Sequence, residues 1–168
     1  MNYRIKKVKR NDISFSESKM EITFDKLVPN TNIVQSEMVL KTSRAEAKNL
    51  INSLFELAEE FLLIAELNLE ENQFIAVKQV DFKYHQDKGL GAQMTAELYL
   101  KGSNENLILK TPIKWEDGKA NTDEAKKDLM SANLLSLLKE VQYETCTFID
   151  YEKDNQIEMF QENKEEAA

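Results

Sequence analysis

The stretch Lys19-Met20-Glu21-Ile22-Thr23-Phe24-Asp25 alternates strictly between apolar and polar side chains. Period two with Met20, Ile22 and Phe24 on one side describes a strand with one buried face. Upstream, Tyr3 to Arg10 reads as a strand that opens the chain. Downstream, Val28-Pro29-Asn30-Thr31-Asn32 reads as a loop from its turn residues. Ile33 to Thr42 follows as a third strand, with Val34, Met38 and Leu40 expected on its inner face.

Ser43 and Glu46 then form a capping-box pattern, in which each side chain satisfies a free backbone N–H at a helix start. Leu50, Ile51, Leu54, Phe55, Ala58, Phe61, Leu62 and Ala65 recur at helical spacing and predict a long helix laid on the sheet. A second set of strands comes next. Gln73 to His85 alternates with a slip near Lys78, which predicts a bulge. Gln86-Asp87-Lys88-Gly89-Leu90-Gly91 returns the chain, and its glycines permit positive φ. Met94, Ala96, Leu98 and Leu100 are expected to face inward. Leu107 to Lys114 is the sixth strand, and Pro112 confines it to an edge or ends it, because proline cannot donate to a ladder. Asn121 or Thr122 caps a second helix with Asp123 and Glu124 at its positive end. Its core stripe is Leu134, Leu135, Leu138 and Val141, and it runs to about Cys146.

The element order is βββα-βββα. It predicts an α+β fold: a largely antiparallel sheet of about six strands with two helices on one face; the halves share size and element order, but their residues do not align well enough to assert a duplication. Residues 1–149 form the domain and residues 150–168 a flexible acidic tail. With 168 residues, one domain plus a tail is the natural division. The single cysteine excludes an internal disulfide and suits a reducing cytosol. The first residues have no apolar leader, and no stretch approaches the ~20 apolar residues of a membrane span. A cytoplasmic protein without membrane contact is the expectation.

Charge is uneven. The chain carries a net −8, yet Arg4, Lys6, Lys7, Lys9 and Arg10 crowd the first strand. Such a row reads as the protection of an exposed sheet edge, or as a contact for nucleic acid phosphates. Trp115, beside Lys114, adds a ring that stacks on a base or packs at a sheet edge. Residues for catalysis are sparse. His85 is the one histidine and sits at a hairpin end. Cys146 has no histidine near it in sequence. Gly89-Leu90-Gly91 joins two strands, the wrong setting for a phosphate loop. Carboxylate pairs such as Glu59-Glu60 read as solvated. No catalytic residue, metal ligand or cofactor is assigned from the sequence.

Two resemblances bear on function. Gln156-Ile157-Glu158-Met159-Phe160 is an apolar island in the acidic tail. It resembles the Gln-x-x-Leu-Phe motif by which bacterial replication and repair proteins hold the sliding clamp. Glu158 and Met159 depart mildly from its commonest forms. That likeness implies Met159 and Phe160 in an apolar clamp pocket, Ile157 beside them, and Gln156 fixing register. In the second half, Val80, Phe82 and Tyr84 alternate before the turn, Gly91-Ala92 and Ala96 follow, and Leu109-Lys110-Thr111-Pro112 comes later. Together these resemble a family of small, mostly uncharacterised bacteriophage and prophage proteins, over about residues 50–115 plus the tail. The resemblance implies a phage accessory protein near replication or recombination, or one that disturbs host replication, working in the bacterial cytoplasm with the clamp as partner. It carries over no catalytic residues. The rival expectation is an inhibitor of host defence that binds a small ligand or a host protein through the folded domain.

Overall fold

The computed structural model describes residues 2–12, 18–42, 48–71, 73–100, 102, 106–117 and 126–165. The side chains of 12, 18 and 154–165 are outside that description. The strands are β1 (Tyr3–Asp12), β2 (Ser18–Leu27), β3 (Val34–Lys41), β4 (Gln73–His85), β5 (Gly89–Leu100), β6 (Leu107–Lys110) and β7 (Lys114–Trp115). The helices are α1 (Lys48–Glu56), α2 (Ala58–Ala65) and α3 (Ala132–Glu165). The chain is α+β, as the alternating strands and striped helices predict. The sheet has seven strands in the order β3-β2-β1-β4-β5-β6, with β7 also on β5, and every strand pair is antiparallel.

The extra strand comes from Pro112. It splits the expected Leu107–Lys114 strand into β6, paired with Thr95–Leu98, and β7, paired with Gly91 and Ala92. The slip near Lys78 is a bulge, with the register shifting between Val77 and Gln79. The hairpin turn closes at Gly89 with φ +70°, a conformation that costs glycine nothing.

Apolar residues of β1, β2, β4 and β5 share one face. Ile5, Val8, Met20, Ile22, Phe24, Val80 and Met94 are all at most 2% exposed. The helices cover that face with Leu50, Leu54, Leu57, Phe61, Leu134, Leu138 and Val141. The first helix of the sequence reading breaks at Leu57 into α1 and α2. Leu57 itself is fully buried, in step with Leu50, Leu54 and Phe61. α2 ends at Glu66, a left-handed residue (φ 53°). Past it the Leu67 N–H returns to the Leu62 carbonyl.

The two halves are copies of one arrangement. β1 and β4 meet at the centre of the sheet, with Val8 opposite Val80. Moving along the chain by the distance from Val8 to Val80 carries each feature of the first hairpin onto the second. The bulge at Lys6 becomes the bulge at Lys78, and the pair Val8–Ile22 becomes Val80–Met94. The ion pair Lys6–Asp25 (3.1 Å) becomes Lys78–Glu97 (3.6 Å). A shared lock ends each third strand. Thr42 N–H donates to the Met20 carbonyl while its Oγ accepts from Met20 N–H; Thr111 does the same with Met94. Leu50, Leu54, Leu57 and Phe61 in the first half answer to Leu134, Leu138, Val141 and Thr145 in the second, at the same spacing.

Several expectations change. β1 lies mid-sheet, so its basic row protects no edge. β3 is the edge instead, and Val34 and Met38 on it are 43% and 38% exposed because the helices lie over β1, β4 and β5. Regular helix α3 starts after Ser131, whose Oγ accepts from Leu134 N–H. The expected caps at Ser43, Asn121 and Thr122 fall outside the described residues. Helix α3 continues past Cys146, burying Phe148 and Ile149. Asp150 and Lys153 still touch the body through the Tyr3 hydroxyl.

Leu57→Ala should lower unfolding free energy by about 2–5 kcal/mol, the usual cost of truncating a fully buried leucine. Chemical denaturation of the variant checks this. Leu63→Ala, at 72% exposure, should stay near wild type in the same assay.

Candidate functional site

β1 gathers five cations on one strand, but their side chains diverge. Lys6 reaches Asp25 at 3.1 Å and also bonds Glu37; these hydrogen bonds, Glu37 first, raise its pKa above the ordinary lysine value. Lys7 pairs with Glu21 at 3.0 Å, and that bond holds the Glu21 carboxyl below its usual range. Arg10 is buried, with its guanidinium 4.4 Å from the centre of the Phe55 ring. Arg4 sits over the Tyr84 ring at 5.4 Å and donates to the Asn32 carbonyl at 3.4 Å. Lys9 is half-buried on the opposite side of the strand from Val8. The five do not form one basic patch, because neighbouring strands supply acids or a ring to Arg4, Lys6 and Lys7, and α1 supplies the Phe55 ring to Arg10.

A shallow cleft of about 430 Å³ opens where the β1–β4 ladder stops at Lys7 and Asp81. Arg4, Lys6, Lys7 and Lys83 line it beside Asp25 and Asp81. The Tyr84 hydroxyl crosses the gap, donating to the Ile5 carbonyl at 2.7 Å and accepting from Gln142 at 2.8 Å. Burial pushes its pKa up to about 12, so it remains a donor at any physiological pH. Both signs of charge and this fixed phenol give the cleft polar contacts, and Gln79 already occupies Asp81 with a 2.6 Å hydrogen bond.

Trp115 is a packing residue. A Cβ on Gly91 would stand 2.6 Å from its ring, so the indole lies flat on the Gly91 backbone. His85 meets the ring edge-on at 6.0 Å, and Lys88 covers it at 5.3 Å. Its backbone bonds Asp128 and Met130, which ties β7 to the segment before α3.

Glu60 also differs from the sequence reading. It is 6% exposed and accepts hydrogen bonds from Ser131 (2.9 Å) and Asn133 (2.7 Å). The carboxylate therefore ties α2 to the start of α3. Glu59-Glu60 reads as a charged surface pair in sequence because the partners lie some seventy positions away. The same holds for the C-terminal anchor. The Tyr3 hydroxyl donates to Asp150 at 2.7 Å and accepts from Lys153 at 2.6 Å, and Lys153 lies over the Tyr3 ring.

Cys146 lines a pocket of about 270 Å³ with Tyr3, Tyr143 and Asp150. Burial, then the nearby Asp150 charge, push its thiol up to about 11. Among the described residues no group of three or more His, Cys, Asp or Glu side chains is placed to hold a metal ion. No helix there is long and apolar enough to cross a membrane. Gln156, Ile157, Met159 and Phe160 have side chains outside the described residues. No family model, curated protein or solved structure matches the chain.

The raised thiol makes a kinetic prediction. A thiol with a pKa of about 11 is almost wholly protonated at neutral pH, and only the thiolate attacks. Native protein should react with a disulfide reagent far more slowly than urea-unfolded protein at neutral pH. Its rate should keep climbing as pH rises past the ordinary thiol pKa. A native rate equal to the unfolded one would contradict the buried, protonated thiol.

Proposed function

We propose that this chain is a non-enzymatic phage or prophage accessory protein that docks on the bacterial sliding clamp through Gln156, Ile157, Met159 and Phe160. The folded domain is a scaffold and the C-terminal segment is the tether. It acts in the host cytoplasm, either bringing a DNA-processing function to the clamp or occupying the clamp against the host. The observation that carries the reading is the sequence itself: Ile157, Met159 and Phe160 form an apolar island in an acidic segment. Ahead of it, Tyr3 secures the helix at Asp150 and Lys153. Apolar side chains beyond that anchor, in so acidic a segment, suit a partner's pocket.

Binding of this kind has a defined strength. One motif of this size should bind at about micromolar Kd, roughly −8 kcal/mol. Burying Met159 and Phe160 contributes roughly 1.5–3 kcal/mol each, and the Gln156 hydrogen bond on the order of 1 kcal/mol.

Calorimetry with a peptide spanning Asp150 to Ala168 and a purified bacterial clamp tests the reading. A micromolar isotherm is expected. Met159→Ala with Phe160→Ala should abolish it, and Gln156→Ala should weaken it less. The full-length double variant should melt within a degree or so of wild type, as surface changes do. No heat, equal heat from the substituted peptide, or a large fall in Tm would each refute the proposal.

A further inference from the structure

β3 is a long, open edge. Among the described residues its outer side carries no strand, the helices lie over β1, β4 and β5, and Ile33, Val34, Met38 and Val39 are 64%, 43%, 38% and 56% exposed. The opposite edge, β6, is half as long and is stopped by Pro112. Unpaired N–H and C=O groups along a flat apolar strand are a template for another strand. Natural edges are usually blunted by proline or crowded charge, and β3 has neither.

The backbone fixes which groups are free. Thr42 N–H points inward to the Met20 carbonyl. Residues alternate along a strand, so Leu40 and Met38 also turn their backbone groups toward β2. Glu37, Val39 and Lys41 turn theirs outward. Side chains alternate too. Glu37, Val39 and Lys41 lie opposite Asp25, Thr23 and Glu21 on the polar face, whereas Met38 and Leu40 lie opposite Phe24 and Ile22 on the core face.

We propose that the occupant of this edge is a second copy of the chain, paired antiparallel about a two-fold axis at Val39. In that register Val39 faces Val39 of the second copy as a hydrogen-bonded pair. Glu37 faces Lys41 of the second copy, and Lys41 faces its Glu37. Met38 and Leu40 meet their counterparts on the core face. Centring on Glu37 or on Lys41 would set like charges opposite each other. Centring on Met38 or Leu40 would leave both charges without an opposite partner across the seam. Only the Val39 register pairs the outward backbone groups of Glu37, Val39 and Lys41, sets opposite charges across the seam and brings Met38 and Leu40 of the two copies together; Glu37 and Lys41 keep their contacts to Lys6 and Glu21 within each copy. The two seven-stranded sheets then run on as one.

Sedimentation of the full-length chain tests this, with charge reversals at the seam. Wild type should form a reversible dimer at high micromolar concentration. Glu37→Lys alone and Lys41→Glu alone should each abolish it, and the two together should restore it. Thermal melts separate a lost dimer from a lost fold. A second readout needs no charge change. Antiparallel hydrogen-bonded residues have Cα atoms about 5.5 Å apart, within disulfide reach. Val39→Cys in a Cys146→Ser background should therefore oxidise to a covalent dimer, whereas Leu107→Cys on β6 should not. A chain that remains monomeric and does not cross-link through position 39 overturns the proposal and leaves the edge to another protein's strand. A dimer indifferent to both single reversals, or cross-linking equally from β6, overturns this register.

Discussion

The short ladder that joins Lys7 to Asp81, Val8 to Val80 and Lys9 to Gln79 is the constraint on which the structure depends. The first half of the chain makes a three-stranded meander and the second a four-stranded one, each with one apolar face, and neither buries that face alone. The β1–β4 ladder puts the faces edge to edge in one plane. The helices can then cross both, and Leu54 and Leu138 become wholly buried. Three paired residues suffice because the apolar burial on either side is large. Hydrophobic area removed from water scales with the combined sheet, whereas the hydrogen bonds of the junction contribute only about 1 kcal/mol each.

That junction also decides the fate of the charges. A basic β1 at an edge would offer its lysines to solvent. In the middle of the sheet, each lysine lies between two strands that carry acids, and Lys6 and Lys7 are taken by Asp25, Glu37 and Glu21. The second half repeats the device. Burial alone would push Glu97 up, but hydrogen bonds from Asn106 and Tyr99, with Lys78 close by, hold it below its ordinary value. A carboxyl held down in the fold favours folding above its ordinary pKa. That contribution fades as acid protonates it, so these pairs weaken the sheet only well below neutral pH.

Local pattern made much of this legible. The alternation of Met20, Ile22 and Phe24, the slip at Lys78, the glycine turn and the stop at Pro112 are all properties of adjacent residues, and each has its counterpart in the structure. The position of β1 in the sheet was not legible, because strand order depends on pairings between residues some seventy positions apart. Glu60 looked solvated for the same reason: its partners Ser131 and Asn133 are distant in the chain. Leu57 could have been found, since 50, 54, 57 and 61 have the spacing of one helical stripe. Val34 and Met38 share the face of Leu40 as their alternation indicates, but such a pattern does not say whether helices reach that strand, and both stay exposed. The Gln156–Phe160 string is legible only as a local pattern, and the fold adds the position of the Tyr3–Lys153 anchor ahead of it.

Native-state hydrogen exchange tests most directly whether the two meanders stand or fall together through the Val8–Val80 junction. One shared opening free energy is expected for the slowest amides of β2 and β5, including Ile22 and Met94, equal to that of global unfolding. A second meander that opens at clearly lower free energy while the first stays protected, or the reverse, would contradict it.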